Sequence, residues 1–407
     1  MLGGKVAIVG GSIAGCAAAL ALRRGGADAV TVYERASGRL ADRGVGLAMH
    51  NARYAELESA GLVDASMPWH RLTRRHWYVR DDAAATGPLG RELAVMPFPF
   101  RTYNWGPLWH ALRRRVPESA DFRHASAVEA VEVSSQGAEV HAGGRTDRYD
   151  LVVGADGYRS AVRAAVHPGV RPGYAGYLAW RGAYPSDRLR DPGLWPEDEC
   201  AYVVFPGGHL IVYRIPDDTT GGHRVNWVLY TAPPPGLDQG LQTPTTLHPG
   251  TAGDGLRAHL TCVADELLPS YWGDLVRATT YDELFLQPLY DFTAPRYAVD
   301  RALLMGDAAT VARPHTGAGA VKALQDATAL QSALTSSSTW PEALSAYDTG
   351  RAPTGRVMVD LGRRLGRSLV QRTPDWRALD QAGLEAWWQQ ADGTGVFGGR
   401  RLGGSAD

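Results

Sequence analysis

The chain has 407 residues, of which 44% are hydrophobic and 21% charged, with a formal net charge of −1. That length supports a large core and more than one domain, and the balanced charge excludes a protein built to attract nucleic acid or a membrane surface. Cys16, Cys200 and Cys262 fit neither a metal pattern nor a disulfide framework, and no apolar run approaches the ~18 residues of a membrane-crossing helix, so a cytoplasmic protein in a reducing compartment is expected.

The chain begins with a βαβ pattern. Lys5 to Val9 reads as a buried parallel strand, entered with no basic-then-apolar signal segment before it. Gly10-Gly11-Ser12-Ile13-Ala14-Gly15 follows, then a helix of small residues, Cys16 to Arg24, and a second strand, Ala29 to Tyr33, ending at Glu34-Arg35. This is a dinucleotide fingerprint in which Ser12 replaces the usual middle glycine. Gly10 serves the tight turn and Gly15 the close approach of helix to strand. The helix N-terminus suits a pyrophosphate, and Glu34 sits where an acid meets a ribose hydroxyl.

Further along, Arg35 to Gly46 is polar and irregular, and Gly46 to Met49 reads as a cofactor-contacting loop ahead of a helix over His50 to Gly61. Thr73 to Arg80 is a predicted strand, Asp81 to Gly90 a loop and Leu108 to Val116 a short helix. Ala127 to Val133 and Ala138 to Ala142 form a hairpin-like pair. Leu151 to Val153 is a second buried strand, closed by Gly154-Ala155-Asp156-Gly157. Ala302 to Met305 is a third, closed by Gly306-Asp307. These strand ends should define one long cleft. Between them Tyr177 to Tyr184, Glu199 to Phe205, His209 to Ile215 and Arg224 to Tyr230 alternate as strands of an inserted antiparallel sheet. Ala232 to Gly250 is a Pro-rich loop, Leu256 to Leu268 a helix, Gly317 to Leu334 a long helix, and Pro341 to Val370 one or two more. The Gly-rich tail from Gly393 is expected to fray.

The expected fold is therefore α/β. A discontinuous Rossmann-like dinucleotide-binding domain spans residues 1–72, 99–176 and 291–335. A substrate-binding sheet domain spans 73–98 and 177–290, and a C-terminal helical segment and tail spans 336–407.

Three motifs, in order, carry a resemblance. They are Gly10 to Gly15 with Glu34-Arg35, Asp156-Gly157 within Gly154 to Arg163, and Gly306-Asp307-Ala308-Ala309 followed by Pro314 and Gly317-Ala318-Gly319. Together they resemble the class A FAD-dependent aromatic hydroxylases similar to para-hydroxybenzoate hydroxylase, in the branch that includes 2,6-dihydroxypyridine hydroxylase. The resemblance implies an oxidoreductase that binds FAD, takes electrons transiently from NADH or NADPH, and hydroxylates an aromatic or heteroaromatic small molecule with O2 through a flavin C4a-hydroperoxide. It implies FAD contacts at Gly10, Gly11, Ser12, Ala14, Gly15, Glu34, Arg35, Gly46, Asp156, Gly157, Gly306, Asp307, Pro314, Gly317 and Gly319. Many relatives place an arginine before the helix near Leu108, where this chain reads Tyr103-Asn104-Trp105. Two other readings stay open: epoxidation or oxidative rearrangement of a polycyclic natural product, and a flavin-binding protein without redox turnover. The Trp-x-Trp-x-Ile-Pro motif of a flavin halogenase is absent.

For the substrate, period-two alternation puts Ala179, Arg181 and Ala183 on one face and Trp180 on the other. Arg181 or Arg214 is a candidate to hold a phenolate or carboxylate. Tyr213 is a second candidate catalytic residue, and His315 is a candidate base because histidine titrates near neutrality. His50 is a weaker candidate. No metal ligand set is seen, and the sequence leaves the oligomeric state open.

Overall fold

The computed structural model describes residues 3–38, 46–83, 86–217, 221–236, 241, 247, 250–393, 395 and 397–399. Part of the irregular stretch before Gly46, most of the Pro-rich loop and the end of the tail lie outside the described residues.

The N-terminal unit forms as read. Strand Lys5–Val9 has Val6 to Val9 buried, and strand Ala29–Tyr33 runs parallel beside it. The helix between them spans Ile13–Arg24, three residues longer at its start than expected, because Ser12 already has extended cap geometry. Its small residues Ala17, Ala18, Ala19 and Ala21 are all buried, which lets it pack between the sheet and helix Gly319–Ser336.

This first sheet has six strands in the order Ala298–Val299, Ala302–Leu304, Leu151–Gly154, Lys5–Val9, Ala29–Tyr33, Asp121–Arg123. The pairings are parallel apart from the Ala298–Val299 edge. Val9, Gly154 and Leu304 fall in one register, so the three Gly-containing turns emerge side by side. A separate antiparallel meander, Val128–Val133, Ala138–Ala142 and Arg145–Tyr149, joins this layer through the Tyr33 hydroxyl, which donates to Asp147 Oδ2 at 2.8 Å.

The second sheet departs from expectation. It has nine strands, in the order Thr310–Val311, Phe285–Thr293, Gly173–Pro185, His223–Thr231, Gly208–Pro216, Glu199–Phe205, His70–Val79, Arg91–Asn104, Gly46–His50. It is mixed, not antiparallel throughout, because Glu199–Phe205 runs parallel to His70–Val79. Gly46–His50, read as a loop, is its edge strand. Arg91–Asn104 escapes the sequence pattern because Pro97 and Pro99 argue against a strand. The structure accommodates them where the register shifts between Leu72 and Arg74.

Each face of this sheet has its own partner. Trp180, Leu229, Leu210 and Val212 face helices Asp254–Glu266 and Ser270–Arg277, with Trp195 and Trp272 between. Ala179, Tyr230, Tyr202 and Val228 face the other way, toward Ala318 and the C-terminal elements. Those elements are one long helix, Trp340–Gly366, a π-helical turn, Arg367–Gln371, and helix Gln381–Asp392. The described part of the tail, expected to fray, packs into the fold. Phe397 is buried against Phe98, Phe100 and Trp388, and the area removed from water offsets the ordering cost of the glycines around it.

Candidate active site

The fingerprint turn is shaped by contacts that leave no room for side chains. Gly10 has φ +100°, and a Cβ there would lie 2.4 Å from the Ala155 carbonyl oxygen. A Cβ on Gly15 would lie 1.8 Å from the Gly10 oxygen, and one on Gly11 2.4 Å from Phe122. Glu34 is buried, and its carboxylate accepts from Gly11 N at 2.9 Å and Ala36 N at 2.8 Å. Trp109, not singled out in the sequence, donates from Nε1 to the Gly11 oxygen at 2.9 Å. Ser12 caps the helix by backbone geometry alone, and no side chain takes the first-turn N–H groups. Ala14 lies in that turn, against Gly306, and Arg35 is exposed.

The second and third motifs meet beside it. Asp156 Oδ2 accepts from Ala161 N at 2.6 Å, and Gly157, at φ +73°, has open space where a Cβ would be. Arg163 is turned away from solvent on its short helix, Ala161–Val166. It is buried and donates to the Ala308 oxygen at 3.0 Å, tying the Asp156 segment to the Gly306 segment. Beneath Gly306 lies a buried ionic cluster. Asp326 accepts from Gly306 N at 2.9 Å, Lys322 Nζ at 2.6 Å and Arg351 Nε at 2.7 Å. Asp307 is accessible, yet burial of its surroundings pushes its carboxyl up from the usual range, against Lys322 and Arg163 and with Asp326. Its open side therefore faces an internal recess.

The Arg313-Pro314-His315-Thr316 loop crosses from the third motif to the second sheet. Asp291 anchors it, accepting from Arg313 Nε at 2.8 Å and Arg363 Nη2 at 2.7 Å. Pro314 opens a 3₁₀ turn, Gly317 closes it in the left-handed region at φ +62°, and Gly319 starts the long helix with open space at its Cβ position. No side chain caps that helix, so its first N–H groups and positive dipole end stay available to an electron-rich ring edge.

These observations fit FAD. A glycine-walled pyrophosphate seat, an accessible Asp307 in a recess and a second uncapped helix end lie along adjacent strand ends, and Gly157 and Gly319 keep it open.

The sheet face opposite presents Tyr230, His209, Ile211 and Arg181 in adjacent rows. Arg181 makes no ion pair, and its Nε has no hydrogen-bond partner among the described residues. Its charge acts on Tyr213, Tyr230 and His315. Tyr213 donates to the Gly46 oxygen at 3.1 Å, and Asn226 Oδ1 accepts from Gly46 N at 3.0 Å, so this edge strand is also tied to the middle strands of its own sheet. Arg214 is not on this face. It lies over Trp195 and donates to the Trp195 and Pro196 oxygens at 3.0 and 2.8 Å, which removes it as a substrate ligand. His50 caps the next helix, accepting from Ala52 N at 3.1 Å.

His315 is 3% exposed and sits on this face, its ring 4.3 Å from Tyr230 and 5.2 Å from His209. Nε2 is 2.7 Å from the Tyr177 hydroxyl, and Nδ1 has no partner among the described residues. Burial, then the charges of His209, Arg313 and Arg181, holds it well below the usual histidine value. It does not titrate near neutrality, as its residue type alone suggested. His209 is likewise pushed down, to about 3, by burial.

The fold and this recess define a dinucleotide-binding flavoprotein with a second, mixed sheet. Comparison with known proteins gives the same class. Residues 267–361 match an FAD-binding domain family and residues 174–287 an FAD-binding-domain-like family. The chain is 30% identical to 3-amino-4-hydroxybenzoate 2-monooxygenase of Streptomyces cremeus, over 89% of this chain and 86% of that protein. It is 28% identical to 2,6-dihydroxypyridine 3-monooxygenase of Paenarthrobacter nicotinovorans, over 90% and 91%. The solved structure of 2,6-dihydroxypyridine-3-hydroxylase from Arthrobacter nicotinovorans superposes with a TM-score of 0.80 at 26% identity, covering 93% of this chain and 96% of that one. The chain belongs to the class A FAD-dependent aromatic hydroxylases. It is a flavoprotein monooxygenase that hydroxylates a small aromatic molecule with NAD(P)H and O2, and the reading as a flavin protein without turnover falls. Among the described residues no helix is long and apolar enough to cross a membrane.

Proposed function

We propose that the substrate is a small aromatic or heteroaromatic ring bearing an anionic group, phenolate or carboxylate, bound between the Arg181 face of the second sheet and the Pro314–Gly319 turn. The observation that carries this is Arg181. A half-buried guanidinium that pairs with no acid among the described residues, and whose charge acts on Tyr213, Tyr230 and His315, is a costly arrangement unless a ligand completes it.

The cofactor contacts in this reading are Gly10, Gly11, Ser12, Ala14 and Gly15 for the pyrophosphate, with Glu34 and Arg35 on the adenosine side. Asp156, Gly157, Gly306 and Asp307 line the middle, Pro314, Gly317 and Gly319 the ring edge, and Gly46 the strand held by Tyr213 and Asn226. FAD is thus assigned to residues 1–72, 99–176 and 291–335, and substrate recognition to 73–98 and 177–290. When bound, FAD supplies the reducing equivalents and the activated oxygen. The chain aims the ring, excludes water and controls one proton. Arg181 fixes the anionic group. The Tyr177 hydroxyl, donating to His315 Nε2, leaves the imidazole proton on Nδ1, a neutral donor toward a ring oxygen. His315 in this role holds a hydrogen bond and does not take up a proton. Tyr213 sets the distance between sheet and cofactor.

The test is a screen of hydroxybenzoates, hydroxypyridines and their uncharged analogues for acceleration of FAD reduction by NADH and NADPH. Acids or phenols should accelerate it, and Arg181→Leu should abolish that selectivity while retaining FAD. Acceleration by uncharged rings alone would overturn the reading.

A further inference from the structure

The C-terminal turn Phe397–Gly399 is packed into the enzyme at the junction of its two sites. Phe397 is 5% exposed, and its ring lies 5.8 Å from Phe100 and 5.2 Å from Trp388. A Cβ on Gly317 would come within 3.9 Å of that ring, so Phe397 borders the left-handed turn that opens the ring-facing helix. A Cβ on Gly398 would meet Phe100 Cζ at 2.6 Å, and one on Gly399 would meet Val321 at 3.2 Å. Both glycines have positive φ, +69° and +77°, which side chains adopt at a cost. The turn is therefore wedged between the Gly46–His50 strand region and helix Gly319–Ser336. Phe397 also shares one packed cluster with Ile211 and Tyr213 of the substrate face.

Arg75 lies under this turn. It is 3% exposed, forms no ion pair among the described residues, and donates from Nη2 to Met96 Sδ at 3.3 Å. Five rings surround its guanidinium: Trp388 at 4.1 Å, Trp77 and Tyr202 at 5.0 Å, Phe98 at 5.5 Å and Phe397 at 5.6 Å. Cation–π contacts offset part of the desolvation of a buried guanidinium. Two of those rings, Trp388 and Phe397, come from the C-terminal elements, and so does Asp392, whose charge also acts on Arg75. The environment of the cation is complete only with that segment docked.

We propose that Phe397 is a specificity-determining residue of the hydroxylation. Its ring is the wall of the substrate cavity beside Gly317, and Arg75 is a positioning residue that holds the wall in place. This rests on the reading that the substrate lies on the Arg181 face. The cavity then admits one ring because Phe397 stands where a fused second ring would extend.

The test uses the FAD-loaded full chain and calorimetric titration with a hydroxybenzoate, which has one ring, and a hydroxynaphthoate, which has two. The parent should bind the one-ring acid more tightly. Phe397→Ala should shift the ratio of the two dissociation constants toward the larger acid by about tenfold or more, the scale on which pocket size discriminates. FAD content should not change, while product formed per NAD(P)H consumed should fall. Phe397→Leu, a milder truncation, should shift the ratio in the same direction by less. Arg75→Leu should reproduce the Phe397→Ala shift, and Arg75→Lys should recover part of it. An unchanged ratio in both Phe397 variants, with FAD bound, would overturn the wall. Parent-like selectivity in Arg75→Leu would overturn the positioning role. A parent that binds neither acid would overturn the anionic-ring reading itself, a result distinct from the other two.

Discussion

The two halves of the active site are built from opposite materials. The FAD seat is made of backbone and empty space. Gly10, Gly15, Gly157 and Gly319 matter for the side chains they lack, and the ligand-facing groups are N–H donors at two helix ends. The substrate face is made of large side chains, Tyr177, Tyr202, His209, Tyr230 and His315 buried and Tyr213 half-buried, with Arg181 on the same face making no ion pair among the described residues. The first kind of site fails when atoms are added, and the second when atoms are removed. A common cofactor can be held by the same seat in many relatives, while the substrate is set by side chains that can change one at a time.

The largest effect expected is at the cluster beneath the FAD seat, which joins the two materials. Asp326→Ala would remove the buried carboxylate that Lys322 and Arg351 share, and breaking a buried pair costs about 3–5 kcal/mol. Urea unfolding of the FAD-free protein measures it. A loss under about 1 kcal/mol would show that those charges find water, and that this part of the core is less dry than its burial indicates.

Gly15→Val sharpens the comparison from the other side. A Cβ at 1.8 Å from the Gly10 oxygen must push the helix off the strand, and overpacking of that kind costs about 1–3 kcal/mol or more. FAD content after reconstitution should fall sharply, whereas Ser12→Gly should leave it near the parent. Equal FAD affinity for parent and Gly15→Val would mean that close approach does not make the seat.

Asp307→Ala and Arg181→Leu should separate the two halves. Each removes a charged hydrogen-bonding partner, worth about 1.5–3 kcal/mol to its ligand. The first should weaken FAD and leave substrate-ring selectivity unchanged, and the second should raise KM about tenfold or more and leave FAD content alone. Crossed effects, read by FAD titration and steady-state kinetics, would break the division.

The smallest effect concerns His315 and pH. Its folded-state pKa lies well below that of the unfolded chain, near 6.5, so the unfolded chain takes up the proton first. His315 therefore costs stability as pH falls below about 6.5, and His315→Gln should flatten that loss between about pH 6.5 and 5 in thermal unfolding. Gln also keeps a donor, so hydroxylation should survive better in His315→Gln than in His315→Leu. A parent rate profile that breaks near 6.5, and loses that break in His315→Gln, would restore the role of base.

Much of the FAD seat could be read in the chain. The fingerprint is contiguous, and the spacing of Gly10, Gly15 and Glu34 is set by one turn and one helix, so local rules suffice. The Asp156-Gly157 and Gly306-Asp307 turns were legible because each follows a short apolar run. Their partners were harder to see. Trp109 and Arg163 act across the fold on the Gly11 and Ala308 carbonyls, contacts with no sequence pattern. Lys322 and Asp326 carried a faint signal, opposite charges four residues apart on a helix whose neighbours are apolar.

By itself the sequence determined the class of protein: a βαβ start, three strand-ending turns in order and an alternating sheet between them, all encoded at short range. Only the tertiary structure decided which way the sheet's charges face and where the C-terminal turn packs. Arg181 and Arg214 are indistinguishable as residue types. Pairing across four strands puts one on the face that carries Ile211 and His315 and the other over Trp195. The titration of His315 is likewise a property of its burial, not of histidine. The place of Phe397 follows from a docking some three hundred residues along the chain, onto Phe98 and Phe100, and no local propensity in a glycine-rich tail encodes a contact made that far away.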